Sequence, residues 1–261
     1  MMQAHRRRSR TFAGLPKAER PALPESIADA VAEAIAARHI LPGDRIVETT
    51  LAEQMGASRV PTREALKVLH TQGILLGGGY RGYRVASFEG ESVRKVFEVR
   101  LMLETFLLRD AIRCWRTAAS DPRLLDTAID QLAAAAHTGD FQASLRADLA
   151  FHRTIAQAAR NDLTARLWET IARHVLIIFS LDRYRDDDLS AVVAQHEQFR
   201  DFILKQIEKP ASLDVLRRGL ENHLLLGARA KAQRRRTAAG RIPPTRPPVA
   251  EARHIDGQQP D

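Results

Sequence analysis

One cysteine, Cys114, stands in the 261 residues. That excludes an intrachain disulfide and fits a reducing compartment. No apolar run approaches the length of a membrane span, and the stretch Val175–Phe179 is far too short for one. The basic N-terminal stretch lacks the apolar core of a secretory signal, so none is expected. Internal repeats and a phosphate-loop fingerprint are missing as well. What remains is the composition of a soluble globular chain, 44% hydrophobic and 28% charged, long enough for two domains. A cytoplasmic protein with no membrane partner is the expectation.

The net charge of +8 sits at the ends. Residues 1–21 hold six Lys/Arg against one Glu, a net +5, and residues 231–261 hold seven against three Asp/Glu, a net +4. Residues 22–230 are therefore left with about −1 by difference. The basic balance of the whole chain is no argument for a DNA surface. Residues 1–23 and 231–261 are rich in Arg, Ala and Pro without periodicity and are expected to be disordered.

The stretch Thr49–Ser87 carries the local argument. Leu51, Ala52 and Met55 give a short helix an apolar stripe, and Gly56 breaks it. Ser58 suits an N-cap, and Pro61 falls in the first turn of the next helix, where amides have no partners. On that helix Ala65, Leu66 and Leu69 recur at inward spacing, while Arg59, Arg63 and Lys67 share another face. Ile74–Leu76 and Tyr83–Val85 predict two strands of a wing, and Arg45–Val47 a third short one. Gly77, Gly78, Gly79 and Gly82 supply the turn, with Arg81 at its tip. Residues 57–88 hold five Lys/Arg and one Glu, and residues 24–53 hold two Arg and six Asp/Glu, so a basic face is backed by an acidic one. A helix with cationic N-terminal residues beside a basic wing suits double-stranded DNA.

Beyond Glu89–Ser92 almost everything predicts helix. The fold class expected is mainly α: a winged helix-turn-helix domain over residues 24–88, a linker at 89–92, and an all-α bundle of six or seven helices over 93–230. Within that bundle Asp148 and His152 lie four apart on one helical face, and His196 and His223 sit on two later helices. One carboxylate and three imidazoles suit a divalent transition ion such as Zn²⁺, Ni²⁺ or Mn²⁺. Spacing alone leaves these open to a plainer reading as polar or core residues of amphipathic helices. Arg100 is equally open to a salt bridge with Glu98 or Glu104.

The segment Ala57-Ser58-Arg59-Val60-Pro61-Thr62-Arg63-Glu64-Ala65-Leu66, with Leu41-Pro42-Gly43-Asp44-Arg45-Ile46 and Leu51-Ala52-Glu53-Gln54 before it, resembles the DNA-binding domain of GntR-type bacterial regulators. Phe97-Glu98-Val99-Arg100-Leu101, Asp148-Leu149-Ala150-Phe151-His152-Arg153, and His196-Glu197 followed by the His223 helix resemble the FCD effector domain of the FadR subgroup. The first resemblance implies DNA contacts by Arg59 and Arg63, with Arg45, Arg81 and Gly82 as further contacts and Ser58 and Thr62 counted beside them. The second implies Asp148, His152, His196 and His223 as metal ligands and Arg100 as the partner of a carboxylate effector, with Asn222 a weaker candidate for the same cavity. Taken together they imply a homodimeric, ligand-responsive regulator that binds an operator and a small organic acid, repressing more often than activating, and not an enzyme. A metalloenzyme, or a bundle that only dimerises, are the competing expectations.

Overall fold

The computed structural model describes residues 23–78, 82–181 and 188–224. The expected wing tip Arg81, residues 182–187, the end of the expected bundle at 225–230 and the two expected tails outside this range lie beyond the described residues.

The N-terminal head begins with α1 (Leu23–Ala36), whose Ile27, Ala28, Val31, Ala32 and Ile35 recur at helical spacing and are buried. A short strand β1 (Arg45–Ile46) leads into α2 (Glu48–Gln54) and α3 (Arg59–Thr71). The wing is β2 (Leu75–Gly77) and β3 (Tyr83–Val85), and the sheet has the antiparallel order β1-β3-β2. The strand β2 starts one residue later than Ile74. Gly73 turns left-handed at φ 78°, and the Ile74 amide is spent on the Leu69 carbonyl at 3.0 Å, closing α3. Ser58 has extended N-cap geometry, but its side chain makes no capping bond. Its carbonyl instead accepts the Thr62 hydroxyl at 2.9 Å.

Six helices form the bundle: α4 (Glu91–Arg116), α5 (Leu124–Thr138), α6 (Phe141–Ala158), α7 (Asp162–Ser180), α8 (Leu189–Glu208), and α9 at residues 213–224. Side-chain caps set three of their starts. Asp140 accepts from the Ala143 amide at 2.9 Å, Asn161 from Thr164 at 3.2 Å, and Asp188 from Ala191 at 3.0 Å. The fifth helix begins at Leu124, because the Asp121 carboxylate accepts the Arg123 amide and guanidinium and holds Pro122–Arg123 in a turn. Leu107, Leu108, Ala111, Leu125, Phe151, Trp168 and Ile203 are buried at the centre.

Head and bundle share a core. Ile177 and Ile178 of α7 and Val93 of α4 are buried among Ile27, Val31, Leu69 and Ile74 of the head. Polar contacts border this seam. Arg173 of α7 reaches Asp29 at 2.8 Å and Glu25 at 2.5 Å, both on α1. Gln142 of α6 donates to the Ala36 carbonyl at 3.2 Å. His174 meets Phe88 edge-on at a ring separation of 6.3 Å, and its Nδ1 lies 3.2 Å from the Thr170 carbonyl. Sequence spacing leaves His174 between a core position and the cavity of the bundle; it belongs to the seam.

Candidate functional site

The amphipathic pattern of α6 turns Asp148 and His152 inward, one helical turn apart. His196 comes from α8 and His223 from α9. All three histidines are buried, and each offers a ring nitrogen within 4.8 Å of the others. His152 Nε2 and His223 Nε2 are 3.3 Å apart. Asp148 joins through His196, whose Nε2 lies 3.1 Å from Asp148 Oδ1. Phe151 stands edge-on to His196 at 4.9 Å, and Phe199 stacks on His223 at 4.3 Å, so the rings are held in place by aromatic packing.

Tautomers decide what this cluster can hold. His196 Nδ1 sits 2.8 Å from the Val192 carbonyl, which places the ring proton there. Its Nε2 then presents a lone pair to a carboxylate oxygen. Two acceptors at 3.1 Å repel, so the contact is favourable only with a second ring proton or a metal ion between them. His196 Nε2, His152 Nδ1 and His223 Nδ1 are buried atoms with no aligned hydrogen-bond partner. His152 Nδ1 is nonetheless 2.9 Å from Glu104 Oε2, the arrangement that turns the opposite nitrogen of a ligating histidine toward an ion. Three imidazoles and one carboxylate with this orphaned geometry fit a divalent transition ion.

Glu104, read from sequence only as one of two partners open to Arg100, organises one wall. Its Oε1 accepts from Arg100 Nε at 2.7 Å and from Trp168 Nε1 at 2.8 Å. Burial pushes the Glu104 carboxyl up, but the Arg100 guanidinium and then His152 and Trp168 outweigh it and bring it down to about 2. Burial likewise raises Asp148, and the His196 hydrogen bond, reinforced by the charges of His196, His152 and Arg100, holds it well below the usual carboxylate range. Burial depresses His223 strongly, and the neighbouring His196 and His152 add to that. His223 is therefore neutral and able to ligate. Of the two salt-bridge partners open to Arg100, Glu104 takes it, while Glu98 pairs with Arg94. Arg100 is 1% exposed, and its Nη2 has no partner.

A cavity of about 70 Å³ opens onto this cluster, lined by Arg100, Asp148, His152, His196 and His223 together with Phe141, Leu145, Phe179 and Val192. Asn222 is not part of it. That residue is exposed, because the position next to His223 is rotated by roughly 100° around a helix.

On the head, α3 buries Thr62, Ala65, Leu66 and Leu69 and exposes Arg59, Val60, Arg63 and Lys67. Arg63 is held bidentately by Glu48 of α2 at 2.9 and 2.8 Å, which keeps the Glu48 carboxyl below its ordinary value. Lys67 pairs with Glu64. Thr62 is fully buried and leaves the set of surface candidates. On the wing, Arg45 of β1 stands opposite Arg84 of β3, and both are exposed. Gly82, at φ 69°, leaves room for Arg45, since a Cβ there would lie 3.2 Å from its Nε. Arg84, which also donates to the Gly43 carbonyl at 3.0 Å, is a cation that the motif reading passed over. Its alternation with buried Val85 was the available signal.

A winged head with an exposed cationic helix, seated on an all-helical bundle, defines a DNA-binding transcription regulator. Residues 23–85 match the bacterial regulatory proteins of the gntR family, and residues 95–212 match the FCD domain. The chain belongs to the GntR family of transcriptional regulators and is not an enzyme. It is 24% identical over 176 residues to the HTH-type transcriptional regulator YdhC of Bacillus subtilis (strain 168), covering 67% of this chain and 78% of that one. It is 26% identical over 162 residues to the gluconate operon transcriptional repressor of the same organism, covering 61% of each. The structure of E. coli McbR/YncC shares the fold, with a TM-score of 0.64 at 15% identity, over 82% of this chain and 98% of that one. Among the described residues no helix is long and apolar enough to cross a membrane.

Proposed function

We propose that this regulator is a metal-dependent, carboxylate-responsive cytoplasmic repressor acting as a homodimer on a pseudo-palindromic operator. The observation that carries the reading is the convergence of three buried imidazoles, Asp148 and the unpartnered Nη2 of Arg100 on one cavity. Asp148, His152, His196 and His223 would hold the ion, which would supply open coordination sites for a carboxylate. Arg100 keeps one edge on Glu104 and offers the other to the ligand. Arg59, Arg63, Arg45, Arg84 and the wing segment at Arg81–Gly82 would meet DNA, Ser58 contributing at the start of α3. One relative is named as the gluconate operon transcriptional repressor, which supports the reading as a repressor.

Coupling has a short physical route. Phe179 lines the cavity, and the two residues before it are buried in the head. Phe141 lines the cavity, and Gln142 beside it holds the end of α1. A cleft of about 590 Å³ between α1, α6 and α7 leaves the head room to shift. A ligand that favours one placement of the head would alter operator affinity by its difference in affinity for the two placements.

Elemental analysis of untagged protein and of His152→Ala tests the reading. About one transition ion per chain, lost in the variant, supports it. Equal metal content in the two removes His152 as a ligand.

A further inference from the structure

The cavity carries more information than the presence of a carboxylate site, and the chemical class of its ligand can be narrowed on the basis of the metal-and-carboxylate reading. Among the described residues the Asp, Glu, Lys and Arg side chains of the site are Arg100, Glu104 and Asp148. One guanidinium against two carboxylates leaves one negative charge. A divalent ion reverses that to one positive charge, and a single carboxylate brings the site to neutrality. A buried site tolerates unbalanced charge poorly. A dicarboxylate or tricarboxylate would overshoot by one or two charges with Arg100 already half engaged by Glu104.

The walls point to the rest of the molecule. Around the polar floor stand Phe141, Leu145, Phe179, Leu189, Val192 and Leu224, with Ser144 and Gln195 the uncharged polar residues among the described lining. A polyhydroxylated chain would lose water to these apolar faces without replacement hydrogen bonds. Size narrows it further. The cavity measures about 70 Å³, which leaves room for only a few carbons beyond the carboxylate. We infer that the effector is a short monocarboxylate with an apolar body, neither a sugar acid nor a di- or tricarboxylate.

The test uses the full chain with its metal retained, titrated calorimetrically with butyrate, isobutyrate, gluconate and citrate, and with metal content measured again afterwards to exclude stripping. The inference expects butyrate or isobutyrate to bind at least about tenfold tighter than gluconate and citrate, the discrimination expected for one or two misplaced groups. Val192→Thr, which keeps volume and adds a hydroxyl to the wall, should weaken butyrate and leave metal content unchanged. Gluconate or citrate binding as tightly as butyrate to metal-loaded protein overturns the inference while leaving the carboxylate site standing. No heat with any of the four acids on metal-loaded protein overturns both. Unchanged butyrate affinity in Val192→Thr removes the apolar wall as the source of selectivity.

Discussion

His196 Nε2 and Asp148 Oδ1 meet at 3.1 Å with the ring proton committed to the opposite nitrogen, 2.8 Å from the Val192 carbonyl. The contact is favourable only with a second ring proton or a metal ion between the two atoms. A bound ion should therefore stabilise the fold. At free metal a hundredfold above its dissociation constant the gain is about 2.7 kcal/mol. A chelator should lower the melting temperature of the wild type by several degrees and leave the double variant His152→Ala, His196→Ala unmoved. A chelator effect of equal size on both would locate the ion elsewhere.

Acid should weaken the metal-free protein in two steps. His223, and in the seam His174, are depressed by burial below the ordinary histidine value. The unfolded chain then binds more protons than the folded one, so stability falls as pH drops below about 6.5. Glu104 works in the other window. Its carboxyl is lowered to about 2 from an ordinary 4.5, so its contribution is present above 4.5 and is lost as pH falls toward 2. Melting temperatures measured with chelator should decline between pH 7.5 and 5.5 and again below pH 4.5. A flat profile across the first interval would mean that the two histidines are protonated in the folded state.

Much of this site could be read from the chain because its parts are local. Asp148 and His152 share a helical face by spacing, and the ordered motifs of α3 carried Arg59 and Arg63. Glu104 was legible as a partner of Arg100 by its i,i+4 spacing, but its bond to Trp168 was not, because it joins residues 64 positions apart. Thr62 was misplaced by adjacency. It follows Arg59 by three and precedes Leu66 by four and Leu69 by seven, so it falls on the buried side of α3. Asn222 failed for the same reason, one residue being too small a step to stay on a helix face. The shared core of head and bundle was equally hidden, since Ile177 and Ile178 look like any bundle residues until α7 is seen against α1.

Operator binding should depend on Arg59 and Arg63 in different ways. Arg59 is exposed with no ion-pair partner among the described residues, whereas Arg63 is gripped by Glu48. Arg59→Ala should weaken binding, and a lost phosphate contact would also reduce the salt slope by about one. Glu48→Gln leaves the charge of Arg63 but releases its fork. If Arg63 reads a base, that change should narrow the gap between operator and random DNA more than it alters affinity for random DNA. The double change Arg59→Ala, Arg63→Ala should abolish specific binding in a gel-shift assay while the oligomeric state stays as in the wild type. Undiminished operator affinity would displace α3 as the recognition helix.

The seam should be separable from both sites. Arg173 is largely buried and reaches Glu25 and Asp29, while both acids are exposed. Removing such a pair costs on the order of 1 kcal/mol, since half of it faces water. Ile177 is fully buried in the shared core, and Ile177→Ala should cost about 2–5 kcal/mol. The informative variant is therefore Arg173→Met, which keeps the packed stem and removes the charge. Its ion pairs are with α1 and not with the histidine cluster, so metal content and basal operator affinity should match the wild type. Its effector response, the factor by which ligand changes operator affinity, should shrink, because the ligand then acts on a head held less firmly to α7. A full response in Arg173→Met would show that coupling runs through the apolar contacts of Ile177 and Ile178 alone, and the milder Ile177→Val would become the variant that diminishes it.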